Sequence, residues 1–443
     1  MQIAVIGAGY VGLVVGTCFA ESGNHVICVD SDRKKIRLLK GGMLPIYEPG
    51  LQELLVRNLK ENRLSFTANL RQAVDASPII FIALPTPGSQ DGDADLSAIF
   101  DVSRRIGVMM KEPRTIVLKS TVPVGTCERV RKVIGSKTDV EFEVVANPEF
   151  LKQGAAVNDF LSPDRVVVGT RNDQTAQLLH ELYRPFMRTR DRFIEMDERS
   201  AELTKYAANS LLATKISFMN EVANLCDRLG ADVDLVRRGL GADPRIGPQF
   251  LFPGVGFGGS CFPKDLRALL KSADGVDFEM RILQAVREVN ERQRPLLVEK
   301  MRKHFRGTFK GRTIAIWGLA FKPRTDDIRE APSVAIIKKL ISAGAKVRAH
   351  DPAANLNAKK VLGNRVKFFN NGYQALRGAD ALVVVTEWNE FRHPDFRQMF
   401  RQMRRPVIFD GRNIYDPKVV RESGFIYYCI GRPQADSRGE EPA

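Results

Sequence analysis

The chain has 443 residues, 44% of them hydrophobic and 27% charged, with a formal net charge of +15. That length exceeds one ordinary domain and suits two or three, and the balance excludes a disordered chain. With no run of about 18 apolar residues, no membrane span is expected.

Residues 2–6 (QIAVI) and 26–30 (VICVD) read as buried parallel strands, with a glycine turn and a helix of small residues between them. The opening MQIAVIGAGYVG has no basic leader and glycines break its apolar run, so a cytoplasmic protein is expected rather than a secreted one. Strand-like runs follow at 79–84, 115–119, 143–146 and 165–169, alternating with polar helical stretches, the pattern of a doubly wound α/β domain. From 198 the apolar residues fall at helical spacing as far as Gly230, which predicts a long spine helix. A loop rich in Gly, Pro and Phe spans 241–265, and helical patterns resume to about 305. TIAIWG at 313–318 begins a second βαβ pattern, with strands at 346–349, 382–385 and 407–409. The predicted architecture is α/β: two doubly wound Rossmann-like domains, 1–197 and 306–433, joined by a central helical region, 198–305, with a polar tail at 434–443.

The six cysteines, Cys18, Cys28, Cys127, Cys226, Cys261 and Cys429, form no CxxC pair and have no histidine spacing, which argues against a disulfide framework or any metal site. The positive charge fits a basic surface or attraction to a polyanion. Arg397, Arg401, Arg404 and Arg405 cluster, but no nucleic-acid module accompanies them, and no nucleic-acid partner is expected.

Gly7-Ala8-Gly9-Tyr10-Val11-Gly12 follows the first strand and opens a helix, and Asp30 ends the next strand. Gly7 permits a tight turn, Gly9 lets backbone approach a pyrophosphate, and Gly12 allows close helix–strand packing. The helix N-terminus offers amides to the anion, and Asp30 suits the ribose hydroxyls, favouring NAD over NADP. Arg33, Lys34 and Lys35 oppose that preference, or form a solvated helix start. The second α/β pattern begins Gly318-Leu319-Ala320 without the full fingerprint, and reads equally as a holder of a substrate's nucleotide or as a purely structural domain.

Cys261 lies in GFGGSCFPKD, where Pro263 suits a first helical turn and the helix dipole would favour a thiolate. Asp265 falls one turn later. Lys205 and Asn209 share one face of the spine helix and could stabilise an oxyanion, or form a plain surface pair. Thr121 and Glu149 each follow a predicted strand, where such sheets bind ligands; the plainer readings are a cap and a solvated acid.

The motifs GAGYVG, PTP (85–87), KSTVPVGT, NPEFLKQGAAVNDFLSPDRVVVG, KYAANSLLATKISFMNE, DPRIG, GFGGSCFPKD and GLAFKPRTDDIREAPS, in this order, closely resemble the nucleotide-sugar dehydrogenase family that includes UDP-glucose and GDP-mannose dehydrogenases. The resemblance covers residues 1–430. It implies oxidation of the C6 alcohol of UDP-glucose to UDP-glucuronate with NAD, through a thiohemiacetal and a thioester on Cys261. It implies oxyanion roles for Lys205 and Asn209, a water held by Asp265 with Thr121, and acid–base work for Glu149. Cofactor contacts are implied for Gly7, Gly9, Tyr10, Val11, Gly12, Asp30, Lys35, Pro85, Thr86, Thr121 and Arg329. Substrate contacts are implied for Glu149, Phe150, Leu151, Gly154, Lys205, Asn209, Phe250, Leu251, Gly258, Phe262 and Lys322. Arg245 is implied to reach the neighbouring site of a homodimer. Lys152-Gln153 and LFPGVG at 251–256 depart from the family pattern and leave sugar selectivity open, with GDP-mannose or a UDP-N-acetylhexosamine as alternatives. A redox-inactive NAD sensor would not need Cys261, Lys205, Asn209 and Asp265 together.

Overall fold

A computed structural model describes residues 1–89 and 92–433; the expected tail at 434–443 lies outside the described residues. The chain divides into two units, residues 1–208 with 267–279, and residues 209–266 with the chain from 280 onward.

The first unit holds β1 (Gln2–Ile6), β2 (His25–Val29), β3 (Leu64–Thr67), β4 (Ile79–Ile82), β5 (Arg114–Leu118), β6 (Phe142–Ala146), β7 (Val166–Gly169) and β8 (Phe193–Met196). They form one sheet in the order β3-β2-β1-β4-β5-β6-β7-β8. The first six strands are parallel, the doubly wound order. β7 meets β6 antiparallel through Ala146 and Gly169, and β8 runs parallel to β7. Strand periodicity sends Ile3 and Val5 into one apolar cluster and Ala4 and Ile6 into another, so both faces of the sheet are covered.

The second unit repeats the plan. β9 (Thr313–Trp317), β10 (Lys346–His350), β11 (Val366–Phe368), β12 (Ala381–Val384), β13 (Val407–Asp410) and β14 (Ile426–Tyr428) form a parallel sheet in the order β11-β10-β9-β12-β13-β14. Ile314 and Ile316 enter one cluster, Ala315 and Trp317 another. A single helix, Glu198–Leu229, supplies the predicted spine and stops at Gly230, whose φ of +72° few other residues adopt. The fold is therefore α/β, with two Rossmann-like sheets and a long central helix.

The sequence pattern missed β3, β8, β11 and β14. Each is three or four residues long; β3, β11 and β14 mix exposed with buried positions and β8 has no fully buried one, so none reads as a continuous buried run. β4 also ends earlier than expected, at Ile82, shortly before Pro85 and Pro87, which have no N–H to give a ladder.

The glycine turn after β1 is sterically closed at two positions and open at one. A Cβ on Gly12 would lie 1.8 Å from the Gly7 carbonyl oxygen, and one on Gly7 2.5 Å from that of Ala83. A Cβ on Gly9 would meet nothing within 4 Å. Gly12→Ala should therefore cost about 1–3 kcal/mol of stability in denaturant unfolding, whereas Gly9→Ala should leave the midpoint unmoved. Equal losses in both variants would contradict this packing.

Candidate active site

The helix Tyr10–Glu21 starts from Gly9, which has no side chain to cap it. Helix geometry leaves the N–H groups of Tyr10, Val11 and Gly12 without an intrahelical acceptor, and the dipole favours an anion there. With the space beside Gly9 open, this turn fits the pyrophosphate of a dinucleotide. Asp30, just past β2, accepts the Ala8 N–H at 3.0 Å and pairs with Lys35 at 2.7 Å. Lys35 thus sits on the acid expected to hold the ribose. At the carboxyl ends of β4 and β5, the Thr86 hydroxyl donates to the Thr121 carbonyl at 2.9 Å and the Ser120 hydroxyl to the Leu84 carbonyl at 2.7 Å. These bonds join the Pro85–Thr86 segment to the Thr121 segment.

The second sheet carries an acid at the equivalent place, but it is differently used. Asp351, following β10, accepts the N–H groups of Leu319 at 2.7 Å and Ala320 at 3.0 Å, and the Trp388 indole at 3.1 Å. It is 2% exposed, so its carboxylate is consumed within the fold and offers nothing to a ribose.

Glu149, beyond β6, is buried with Lys205 of the central helix, at 3.2 Å. Its second oxygen accepts the Leu151 N–H at 2.6 Å. The centre of the Phe150 ring lies 3.9 Å from the Arg165 guanidinium and 5.3 Å from the Lys205 ammonium. Close by is Lys119, which the sequence reading passed over. It is buried and donates to the Asn147 side-chain oxygen at 3.0 Å and the Tyr183 hydroxyl at 3.2 Å. Burial pushes its pKa down to about 7, with Glu149 opposing that shift and Lys205 adding to it.

In the second unit, Cys261 directly precedes the helix Phe262–Asp274, whose second residue is Pro263. It is half-buried, whereas the other five cysteines are buried. The Cys261 carbonyl accepts the Asp265 N–H at 2.8 Å, so the thiol stands at the positive end of that helix. The Asp265 side chain, buried, accepts the Asn209 amide at 2.6 Å and pairs with Lys264 at 2.7 Å. Asp327 raises the pKa of the Arg329 guanidinium by hydrogen bonding, and the charge of Cys261 adds to that rise. The same guanidinium favours the thiolate in return.

The glycines before Cys261 are packed tightly. A Cβ on Gly258 would lie 2.2 Å from the Glu330 carbonyl oxygen, and one on Gly259 2.8 Å from the Phe321 ring. Three amide side chains, absent from the sequence reading, hold this loop. Asn220 accepts the Gly254 N–H at 2.8 Å, Gln293 donates to the Gly254 carbonyl at 2.7 Å, and Asn290 accepts the Phe257 N–H at 2.8 Å. Phe262 packs 6.1 Å from Phe250 and 6.0 Å from Phe257, ring centre to ring centre. Leu251 is buried, and Phe250 has a φ of +64°. The Lys322 ammonium lies 5.8 Å from the Phe321 ring. Arg245 is apart from these groups: its side chain is 87% exposed and bound to Asp243 at 2.6 Å.

Among the described residues, no His, Cys, Asp or Glu group could hold a metal ion, and no helix is long and apolar enough to cross a membrane.

Residues 1–187 match the NAD binding domain of the UDP-glucose/GDP-mannose dehydrogenase family, residues 199–292 its central domain and residues 315–417 its UDP binding domain. The chain is 49% identical to a UDP-glucose 6-dehydrogenase of Pseudomonas aeruginosa, over 98% of each chain. It is 46% identical to UDP-glucose 6-dehydrogenase TuaD of Bacillus subtilis, over all of this chain and 95% of that one. A solved UDP-glucose dehydrogenase of Pyrobaculum islandicum superposes with a TM-score of 0.90 at 38% identity, covering 97% of this chain and 98% of that one. The glycine turn, the second sheet and the residues around Cys261 thus belong to one known plan, and the chain is a member of the UDP-glucose/GDP-mannose dehydrogenase family, with NAD as its cofactor.

Proposed function

We propose that this chain oxidises the C6 hydroxyl of UDP-glucose to UDP-glucuronate in two steps, with the sugar held covalently on Cys261 between them. The observation that carries this reading is the half-buried thiol at a helix N-terminus, with Arg329 as a cationic neighbour and Asp265 bonded to Asn209 one turn along. Relatives named UDP-glucose 6-dehydrogenase support the choice of sugar.

NAD, when bound, accepts a hydride in each oxidation. The residues Gly7, Gly9, Tyr10, Val11, Gly12, Asp30, Lys35, Pro85, Thr86, Thr121 and Arg329 would hold it. The first oxidation leaves an aldehyde at C6. The Cys261 thiolate adds to that carbonyl, forming a C–S bond and an oxyanion that takes up a proton. Lys205 and Asn209 stabilise the oxyanion. Loss of the second hydride and the hydroxyl proton leaves a thioester, and water cleaves it, releasing the carboxylate and the thiol. Asp265, with Thr121, holds the water, and Glu149 moves the proton in hydrolysis. Phe150, Leu151, Gly154, Phe250, Leu251, Gly258, Phe262 and Lys322 hold the sugar nucleotide. In this reading the division at 1–197, 198–305 and 306–433 separates cofactor, helical and nucleotide-sugar parts of a cytoplasmic enzyme.

The working unit is a homodimer. Leu211, Phe218 and Leu225 lie seven residues apart on the central helix, each more than half exposed, an apolar stripe that suits a second copy. Arg245, extended into solvent, would complete the neighbour's site.

With limiting UDP-glucose, absorbance of NADH should plateau at two per sugar, and a plateau at one would mean simple alcohol oxidation. Glu149→Gln should slow hydrolysis by ~10²–10⁴-fold and let the thioester accumulate. Intact-protein mass spectrometry would then find one UDP-glucuronyl adduct per chain, lost when Cys261 is also replaced; slow turnover with no adduct would move the hydrolytic role to Asp265. Arg245→Ala should weaken UDP-glucose binding, and mixing it with Cys261→Ala subunits should restore part of the activity. Unchanged affinity in Arg245→Ala would exclude the shared site.

A further inference from the structure

The segment between the helices Arg33–Lys40 and Leu51–Lys60 packs Leu44 and Ile46 against the core and has one fully buried side chain, Glu48, which is 5% exposed. Its carboxylate accepts three donors from two distant parts of the first unit. One is the Tyr10 hydroxyl, in a very short hydrogen bond. The others are the N–H groups of Gly154 at 2.6 Å and Ala156 at 2.8 Å. Tyr10 is the first residue of the helix that follows the glycine turn. Gly154 is buried, so its N–H needs an acceptor, and it has a φ of +83°; Ala156 opens the helix Ala156–Leu161. The same segment is tied at its other end by the bond from the Leu151 N–H to Glu149.

We propose that Glu48 is a positioning residue that couples occupancy of the glycine turn to the placement of residues 149–156, with the Tyr10 phenol as the link. This rests on the reading of that turn as the NAD site and of that segment as part of the sugar site. The connection is short. An anion on the Tyr10 amide fixes that residue's backbone, the phenol follows it, and the phenol shares a carboxylate with the two amides that shape the loop. Burial and the Glu48 charge hold the Tyr10 hydroxyl protonated far above the usual phenol range, so it remains a donor at any working pH. Glu48 hydrogen-bonds none of the reacting groups; it acts through Gly154 and Ala156 on the segment whose other end holds Glu149. A carboxylate that merely held the loop would do so whether or not the turn was occupied, and coupling is a reciprocal free energy that can be measured.

The test is hydrogen exchange read by mass spectrometry on the peptide covering residues 149–156, with and without NAD at a saturation confirmed by calorimetry. In the wild-type chain NAD should slow exchange there by about 5-fold or more, the low end of typical coupling factors. In Tyr10→Phe, which removes one hydroxyl and leaves the two amide bonds of Glu48, that protection should fall toward none. Glu48→Gln, whose amide cannot accept from all three donors, should lose it as well; if that variant does not fold, Tyr10→Phe decides alone. Equal protection by NAD in wild type and Tyr10→Phe, or none in wild type, would overturn the proposal. No sugar is needed for this readout, so a failure to oxidise UDP-glucose would count against the functional reading and leave the coupling result standing.

Discussion

The bond of 2.6 Å between the Asn209 amide and the Asp265 carboxylate is the constraint on which the chemistry proposed for the Cys261 thiol rests. It fastens the helix that begins after Cys261 to the long central helix. A thiol in a loop would sample many positions; here the Cys261 carbonyl is the first acceptor of a pinned helix, which puts the residue at the positive end of that helix's dipole. The glycines before it admit no side chain, so the chain arrives at Cys261 along a path set by Phe321 and Glu330. Asn220, Asn290 and Gln293 satisfy the backbone groups of that path, which would otherwise be buried without partners. Rigidity is what the proposed covalent intermediate would need to stay in place between two oxidations.

The first unit shows the same economy with charge. Glu149, Lys205, Lys119 and Glu48 are all buried, and each has named partners. Taking such groups out of water costs several kcal/mol each unless partners compensate. Stability alone would favour apolar residues at these places. Their concentration near the carboxyl end of the sheet, where ligands of doubly wound folds bind, is what a catalytic site requires. The two sheets show the contrast: Asp30 keeps a position suited to a ribose, while Asp351 is taken up entirely by its own loop.

Much of this was legible in the sequence. Strands buried on both faces read as unbroken apolar runs, and the glycine turn announced itself because three steric demands fall within six residues. The central helix was visible from its periodicity and its terminal Gly230. Short edge strands were not, since β3, β11 and β14 bury only one or two of their three or four residues and β8 buries none fully. Nor were the supporting side chains. Glu48 meets Gly154 from 106 positions away and Asn290 meets Phe257 from 33, and nothing local in EPG or EVN signals such a partner. Lys119 was hidden for another reason: a lysine ordinarily predicts a solvated surface, and only the fold places this one among Asn147 and Tyr183.

The central claim is that one thiol among six carries the reaction. Since the other five cysteines are buried, a thiol-alkylating reagent separates them directly. Treating the native protein with iodoacetamide and mapping the label by peptide mass spectrometry, alongside residual activity, is the decisive measurement. The account predicts label on Cys261 alone, activity lost in proportion to it, and both slowed by UDP-glucose. An enzyme fully labelled at Cys261 that still oxidised UDP-glucose to the acid would contradict it.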